Sequence, residues 1–260
     1  MRTVGIALSD RLEAVAELVK RAADGFREVR ADALEDGSTR PVIADIGTDH
    51  GYLAAALLDR GTAGRVIACD VNEGPLERAG ETLEGYEGAQ VRLCDGLKGL
   101  APGEADIAVM AGMGGRLMMR IIEEGDPRRL GIRAMVLQPQ SEIYEFRAFL
   151  RERGYRIVDE RSVRDAGKFY QAMLAKTGDE APQNIDDSGL QGVFDRYGQI
   201  GILRGDEALF EHIGQRIDRL REIMASVPED NIERLADLRQ ELDDTKTALR
   251  VMSEKRRSAV

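Results

Sequence analysis

The feature that most constrains the fold is a short apolar run that ends in two closely spaced glycines and continues as a second apolar run. Residues 41–46 have the composition of a buried strand, Gly47 and Gly51 follow, and residues 53–58 predict a helix. Glycines at such a turn allow a ligand to approach closely because they carry no Cβ, and the backbone N–H groups there can point outward. The stretch therefore predicts a nucleotide-binding strand–turn–helix unit.

The residue between the two glycines indicates which kind of nucleotide is bound. Asp49 stands two places after Gly47, so the turn departs from the dinucleotide fingerprint G-x-G-x-x-G. A carboxylate at this position repels a pyrophosphate but suits a ligand that has a cationic centre and no phosphate. S-adenosylmethionine, with a sulfonium, an ammonium group and an adenosine, is such a ligand. The alternative is a purely structural turn.

Acidic residues also follow the next two predicted strands. Residues 65–70 predict a strand that ends on Asp70. In nucleotide-binding folds of this kind, a carboxylate ~20 residues after the glycine turn binds the ribose hydroxyls, and Asp70 has that spacing. Residues 91–94 form a third strand, followed by Asp95 and Gly96. Asp95 can accept a hydrogen bond from an adenine amine. The structural alternatives are that Asp70 caps the next helix and that Asp95 only caps a turn.

The remaining pattern predicts the rest of the sheet. A fourth strand at residues 106–110 leads into the glycine-rich loop 111–115, and a fifth strand covers residues 134–137. Residues 155–160 and 169–176 then predict two strands near the turn at residues 165–167. Strand–helix alternation followed by a terminal hairpin indicates an α/β fold with a mostly parallel seven-stranded sheet and an antiparallel edge. This is the plan of the Rossmann-like class I methyltransferases.

The two ends of the chain predict helices. Ser9 is expected to cap a first helix and Ser141 a later one that ends near Gly154. Residues 31–40 predict a loop and residues 178–189 a linker. Beyond them, apolar residues at 3-4-3-4 spacing predict two helices, the second opened by a capping box of Asp230 and Glu233. We expect a methyltransferase domain at 1–177 and a coiled-coil hairpin at 190–260, whose function stays open.

Composition limits the functional classes. The formal net charge is −10, yet residues 116–168 carry 12 Lys/Arg against 9 Asp/Glu, so this segment is the best candidate for contact with a nucleic acid. Two histidines exclude a histidine-rich metal site, and two cysteines without a C-x-x-C pair fit a reducing cytoplasm, with Cys69 and Cys94 expected to be small buried thiols. No apolar run approaches the ~20 residues that span a bilayer. We expect no metal, no membrane contact, and a monomer or weak homodimer.

The loop after the fourth strand bears on the atom that is methylated. Enzymes that methylate an exocyclic amine commonly place side-chain acceptors there, because the amine lone pair must be drawn out of conjugation. This chain has Ala111, Gly112, Met113 and Gly114 instead. A ring nitrogen such as adenine N1 has an in-plane lone pair and needs mainly alignment and desolvation. The loop disfavours amine methylation and permits attack by a ring nitrogen.

Four segments resemble one known family. They are residues 45–53 (DIGTDHGYL), 111–115 (AGMGG), 137–139 (LQP) and 167–170 (GKFY), and the resemblance runs in order from residue 8 to about residue 176, with a similar helical appendage. The chain is similar to the bacterial TrmK-type enzymes, which methylate N1 of adenine 22 in tRNA. Thr48 stands where that family usually has Ser, and Gln140 where it usually has Asn.

The residues and the resemblance together give three sets of site residues, with S-adenosylmethionine as cofactor and tRNA as partner. Catalysis is assigned to Asp49 or His50, either of which can instead be a supporting residue behind the site. Phosphate and RNA contacts are assigned to Arg116, Arg120, Lys168 and Tyr170, with ordinary solvated charges as the alternative. A small-molecule methyltransferase and a non-catalytic cofactor-binding assembly protein stay open. The cofactor site is expected to comprise Arg11, Asp45, Gly47, Asp49, Gly51, Asp70, Asp95, Gly96, Ala111 and Gly112.

Overall fold

A computed structural model describes residues 6–30, 40–178 and 189–258. The chain forms two compact units, one built from Met1–Arg161 with Tyr170–Gln183 and the other from Ser162–Phe169 with Asn184–Val260. We call them the α/β unit and the helical unit. Most of the predicted loop at 31–40 and of the predicted linker at 178–189 lies outside the described residues. Within the described ranges, no helix has an apolar stretch long enough to cross a bilayer.

The α/β unit is organised around a seven-stranded sheet in the order β3-β2-β1-β4-β5-β7-β6. The strands β1 to β5 pair in parallel, and β7 pairs antiparallel to β5. The strands are β1 (Val42–Ile46), β2 (Arg65–Asp70), β3 (Ala89–Leu93), β4 (Ile107–Met113), β5 (Ala134–Pro139), β6 (Arg156–Asp165) and β7 (Lys168–Lys176). The predicted Rossmann-like methyltransferase fold is confirmed, including its antiparallel edge.

Helices bury both faces of this sheet, which explains why its central strands are apolar along their whole length. Alternate strand residues such as Ile43 and Val109 pack with the helices α1 to α3, whereas Ala44 and Met110 pack with α4, α5 and a short 3-10 helix on the other face. The helices are α1 (Asp10–Arg30), α2 (Tyr52–Asp59), α3 (Glu73–Leu83), α4 (Gly115–Gly125), α5 (Ile143–Glu152) and the 3-10 helix Gly96–Gly99.

The two serines expected to cap helices behave differently. The Ser9 hydroxyl accepts a hydrogen bond from the Leu12 N–H at 3.4 Å, in agreement with the predicted cap. The prediction for Ser141 is wrong, because α5 begins one residue later, after Glu142, whose φ of 48° is left-handed. Ser141 instead accepts the Gly115 N–H with its carbonyl and donates its hydroxyl to the Glu142 carboxylate. Contact with α4 therefore overrides the local capping preference.

The helical unit contains more than the predicted hairpin. Its helices are α6 (Gln191–Tyr197), α7 (Gln199–Arg204), α8 (Glu207–Ser226) and α9 (Ile232–Ser258). The short α6 and α7 were not predicted, and they add Phe194 and Ile202 to the core formed by α8 and α9. The predicted capping box is wrong, because Asn231 rather than Asp230 accepts the Arg234 N–H, at 3.3 Å. The helical hairpin is present, and its coiled-coil packing stays a prediction.

The turn between β6 and β7 belongs to the helical unit, although the expected boundaries at 177 and 190 divide the chain linearly. The Phe169 ring lies parallel to the His212 ring of α8 with centroids 3.9 Å apart. Arg164 donates to the Gln215 side chain at 2.7 Å. Contacts between residues distant in sequence set this boundary, so it cannot be read from a change in composition.

Candidate active site

A cavity of about 590 Å³ opens at the carboxyl ends of β1 to β5, where parallel sheets place their ligands. Its wall contains most of the residues predicted for the cofactor and for catalysis. Gly51 is not part of this wall. The predicted residues that line it are Arg11, Asp45, Gly47, Asp49, His50, Asp70, Asp95, Gly96, Ala111, Gly112 and Arg120.

The turn after β1 differs from a phosphate-binding loop. The N–H groups of Gly47 and Thr48 both donate to the Cys69 carbonyl, at 2.8 and 3.0 Å, and the Gly51 N–H donates to the Thr48 carbonyl. The first two donors tie the turn to β2 and the third closes the turn on itself, so none of the three points at a ligand, which corrects the expected orientation. Gly51 has φ of 70°, and a Cβ there would lie 3.2 Å from the Ala79 Cα of α3. Gly51 thus permits the turn and the close packing of α3.

The space directly above Gly47 is occupied by a flexible side chain. A Cβ on Gly47 would come within 2.1 Å of the Met113 Cε, and Gly47 has φ of 75°. Met113 ends β4 and lines the cavity. Any larger residue at position 47 would displace Met113 and adopt an unfavourable backbone conformation. The glycine therefore leaves room for the Met113 side chain in the wall of the cavity.

Asp45 is the buried carboxylate of the site. It closes the apolar run of β1, is 4% exposed, and accepts a hydrogen bond from the Thr48 hydroxyl at 2.8 Å. Burial, opposed by that hydrogen bond and reinforced by the negative charge of Asp70, raises the pKa of Asp45 to about 6. A bound cation would favour the ionised form of this carboxyl group.

Asp49 lies at the mouth of the cavity in a left-handed backbone conformation with φ of 50°. Its carboxylate accepts a hydrogen bond from Arg78 at 2.9 Å and lies 3.7 Å from the His50 Nε2. The side chain is 61% exposed, so an incoming base can reach it. The His50 and Tyr52 rings stack with centroids 5.2 Å apart at an angle of 9°. The mouth therefore combines one carboxylate with two half-exposed aromatic rings.

The carboxylates at the ends of β2 and β3 do not cap the helices that follow them. Asp70 accepts the Asn72 N–H at 3.0 Å, and Asn72 rather than Asp70 precedes α3. Asp95 precedes the 3-10 helix without a side-chain cap, and its carboxylate lies 3.3 Å from the Lys98 amine. Gly96 has φ of 61°, and a Cβ there would meet Ile121 of α4 at 2.9 Å. The carboxylates of Asp70 and Asp95 thus face the cavity without a capping role.

Gln138 is a site residue that the sequence did not reveal. It is fully buried near the end of β5, and its Oε1 accepts hydrogen bonds from Arg11 Nη1 at 2.8 Å and from the Gly112 N–H at 3.1 Å. Arg11 also lies 5.8 Å from the centroid of the Tyr170 ring. A polar amide inside an otherwise apolar strand was the available signal. Gln140, two residues later, lines the cavity directly.

The residues predicted to contact RNA lie in different places. Arg120 lines the cavity, whereas Arg116 lies outside it with 85% of its side chain exposed and the Glu142 carboxylate 3.9 Å away. Tyr170 is half-buried beside Arg11. Lys168 is exposed and belongs to the helical unit.

One of the two cysteines reaches the site, contrary to the expectation of two buried thiols. Cys69 is buried, whereas Cys94 is half-buried and lines the cavity. A hydrogen bond between the two thiols raises the pKa of Cys69 and lowers that of Cys94. Cys94 also donates to the Gly96 carbonyl at 3.4 Å, which helps to order the β3 end.

Comparisons with known proteins agree with this geometry. A family model described as TrmK, tRNA (adenine(22)-N(1))-methyltransferase, matches residues 43–247. A tRNA (adenine(22)-N(1))-methyltransferase of Bacillus subtilis (strain 168) is 33% identical over 177 residues, 67% of each chain. The solved B. subtilis m1A22 tRNA methyltransferase TrmK has a TM-score of 0.74 at 25% identity, covering 94% of this chain and 99% of that one. Streptococcus pneumoniae Sp1610, solved with S-adenosyl-L-methionine, gives 0.74 at 27% identity, covering 94% and 100%.

These matches cover both the strand tips that form the cavity and most of the helical unit. The family model spans well over half of the chain, and the Bacillus relative exceeds 30% identity across two thirds of it. The two solved structures align with nearly their whole length to 94% of this chain. This chain belongs to the TrmK family of tRNA (adenine(22)-N(1))-methyltransferases.

Proposed function

We propose that this protein transfers a methyl group from S-adenosylmethionine to N1 of adenine 22 in tRNA. The observation that carries the proposal is the cavity at the strand tips, with carboxylates on β1 to β3 and a glycine loop without side-chain acceptors after β4. Membership of the family supplies the substrate and the target atom. A solved relative binds the same cofactor.

The residues of the cavity fit this cofactor. Asp45 and Asp49 supply negative charge for its ammonium and sulfonium groups, Asp70 suits the ribose hydroxyls, and Asp95 suits the adenine amine. The turn that contains Gly47 has no spare N–H from Gly47, Thr48 or Gly51, in keeping with a ligand that lacks phosphate. Such a match of charge along a cavity favours one orientation of the ligand.

The bound cofactor supplies an electrophilic methyl group on a sulfonium. The chain contributes alignment and exclusion of water, because adenine N1 attacks with an in-plane lone pair. Residues 111–114 offer no side-chain acceptor for an amine, and the Gln138 Oε1 is already bonded to Arg11 and Gly112. Ring-nitrogen methylation is the reaction that this loop favours.

Catalysis by the chain's own residues is electrostatic. Methyl transfer moves positive charge onto the adenine ring, and the exposed Asp49 carboxylate at the mouth stabilises that charge. His50, whose ring stacks on Tyr52, supports Asp49 or contacts the base. The hydrogen bond from Arg78 holds the Asp49 carboxylate at the mouth of the cavity. The transfer needs no metal, since the lone pair attacks without activation.

RNA reaches this site through the positively charged side chains Arg116, Arg120 and Lys168, together with Tyr170. Exposing the target adenosine costs a few kcal/mol of unstacking. We take a monomer or weak homodimer as the active form. The free thiols Cys69 and Cys94 and the tRNA substrate support a cytoplasmic location.

The test uses purified protein, radiolabelled S-adenosylmethionine and an unmodified tRNA transcript with adenine at position 22. A matched transcript with guanine at that position is the control. We expect label in the first transcript only, and a primer-extension stop that maps to nucleotide 22. Equal labelling of both transcripts would assign another nucleotide. Turnover on small molecules but not on RNA would favour a small-molecule methyltransferase, and cofactor binding without turnover on any RNA would favour an assembly protein.

A further inference from the structure

The cavity is electrostatically asymmetric along the sheet. The ends of β1, β2 and β3 carry Asp45, Asp49, Asp70 and Asp95, whereas the Arg11 guanidinium lies beside β4 and β5. The other arginine of the wall, Arg120, comes from α4. The proposed cofactor has the same asymmetry, with a cationic sulfonium and ammonium group and an anionic carboxylate at the tip of its methionyl group. The strand order places the Arg11 cation at the β4–β5 end of the cavity, away from the acids at the ends of β2 and β3.

The guanidinium of Arg11 is held by the protein on two sides. A Cβ on Gly112 would lie 3.4 Å from Arg11 Nη1, so this group rests against the glycine backbone, where φ is 81°. The Tyr170 ring lies 5.8 Å away. Arg11 reaches this place from the first turn of α1. A planar fork presented in a fixed orientation is suited to a carboxylate.

Gln138 fixes that orientation. Its Oε1 accepts from Arg11 Nη1 and from the Gly112 N–H, and its Nε2 donates to the Pro139 carbonyl at 3.2 Å. With both ends of a fully buried amide bonded, the side chain cannot rotate without losing hydrogen bonds. Gln138 couples the glycine loop, β5 and α1 at one corner of the cavity.

We propose that Gln138 is a positioning residue that holds Arg11 for the carboxylate of the cofactor's methionyl group. This inference rests on the proposed function, because it assumes S-adenosylmethionine in the cavity. Arg11 is the residue that touches the cofactor, and Gln138 acts through it. An RNA phosphate is the other anion that a guanidinium here can bind, and the test separates the two sources.

The experiment measures binding of S-adenosylmethionine and of decarboxylated S-adenosylmethionine by calorimetry, without RNA. Arg11→Met should weaken S-adenosylmethionine about 10- to 100-fold and leave the decarboxylated compound within about threefold. Gln138→Met, which keeps the volume but loses the acceptor, should show the same selectivity at about five- to tenfold. Gln138→Glu retains the acceptor but neutralises Arg11, so it should also lose the preference for the carboxylate.

Gln171→Met is the matched control, because Gln171 is likewise buried and accepts from an arginine, Arg147, but does not line the cavity. It should bind both compounds as the wild type does. Equal weakening of both compounds by Gln138→Met and Gln138→Glu would overturn the positioning role. Unchanged cofactor affinity in Arg11→Met with a raised KM for tRNA would assign Arg11 to phosphate. If either of these results is obtained and the wild type still methylates tRNA, the proposed function stands. If the wild type binds neither S-adenosylmethionine nor the decarboxylated compound, the proposed function and the role of Gln138 are both overturned.

Discussion

One buried polar group in each unit, Asp45 in the α/β unit and Tyr197 in the helical unit, shows two different uses of burial. In the α/β unit, the buried carboxylate Asp45 sits in the wall of an open cavity among other acids. In the helical unit, the buried Tyr197 hydroxyl is bonded to Thr245 at 2.7 Å within a core of apolar side chains. A buried carboxylate beside a cavity indicates a ligand-binding site. Buried polar side chains that hydrogen-bond to each other indicate a structural role.

Titration provides a second contrast between the units. Burial raises the pKa of Asp45 to about 6, and it lowers the pKa of His212 in the helical unit to about 4, with help from the charges of Arg164 and Arg216. Both groups are therefore held in their neutral forms more strongly than in an unfolded chain. Their effects on stability have opposite dependence on pH.

The largest effect is expected at the mouth of the α/β cavity. Asp49→Asn should reduce the rate constant of methyl transfer to tRNA about 10²- to 10³-fold, because it removes the carboxylate that stabilises the cationic product. Asparagine tolerates the left-handed backbone of this position, so the fold should be retained. The measurement is single-turnover methyl transfer at saturating cofactor and tRNA.

Asp126→Asn is the control for this substitution. Asp126 has a similar left-handed conformation, with φ of 45°, but ends α4 away from the cavity. It should keep the wild-type rate. Near-normal turnover in Asp49→Asn would remove Asp49 from catalysis and favour its role as a support for its neighbours.

The next effect concerns the stability of the α/β unit. The folded pKa of Asp45 lies above the unfolded value, so the free energy of unfolding should fall as pH rises from about 4 to about 6 and stay lower above that. Asp45→Asn should abolish this fall and stabilise the ligand-free protein at pH 8 by up to about 3 kcal/mol. Cofactor affinity should decrease at the same time. Denaturant titrations at pH 4 and pH 8 measure the difference.

Asp159→Asn serves as the comparison, since Asp159 is also fully buried but is paired with Arg21 at 2.8 Å and Arg161 at 2.9 Å. Its loss should destabilise the protein at pH 8, because two arginines lose their partner. If Asp45→Asn also destabilises the protein at pH 8, the Asp45 carboxylate makes contacts that stabilise the fold, and its role in ligand binding is contradicted.

The sequence predicted the α/β unit better than the helical unit. The reason is that the strands of the α/β unit are recognised from neighbouring residues, whereas other features depend on contacts between residues distant in sequence. Parallel strands buried on both faces read as apolar runs, so β1, β2, β4 and β5 follow from local patterns, and the acids after successive strands predict one wall of the cavity. Gln138 was missed because its role depends on Arg11, 127 positions away.

Short helices and helix starts were the other failures. The helices α6 and α7 have seven and six residues, too few for a periodic signal. Ser141 and Asp230 are good capping residues whose neighbours were used instead, because packing around Gly115 and the local turn at Asn231 decide the first residue of each helix. Local propensity is a weak guide where tertiary contacts compete with it.

A smaller effect is expected for RNA binding, tested at one exposed cation in each unit, Arg116 and Lys168. Arg116→Glu and Lys168→Glu should each weaken tRNA binding about three- to tenfold and reduce the slope of log affinity against log salt by about 0.7 to 0.9. Filter binding at several salt concentrations measures both. Arg129→Glu is the control, because Arg129 is exposed in the segment between α4 and β5, at the amino end of β5 and away from the cavity. An unchanged slope in Lys168→Glu alone would restrict RNA contact to the α/β unit.

The smallest effect should appear in the helical unit under acid. Because the folded pKa of His212 lies below the unfolded value, the unfolded chain takes up a proton first, and the free energy of unfolding should fall as pH drops from about 6.5 to about 4. The loss should be about 1 kcal/mol, reduced by the partial exposure of the ring. His212→Phe keeps the parallel ring contact with Phe169 and should remove this loss, as amide hydrogen exchange in α8 would show. Equal loss of stability in acid in the variant would assign the effect to the carboxylates around α8, such as Glu211 near Arg164. The contrast between the pH dependence of Asp45 and that of His212 would then not hold.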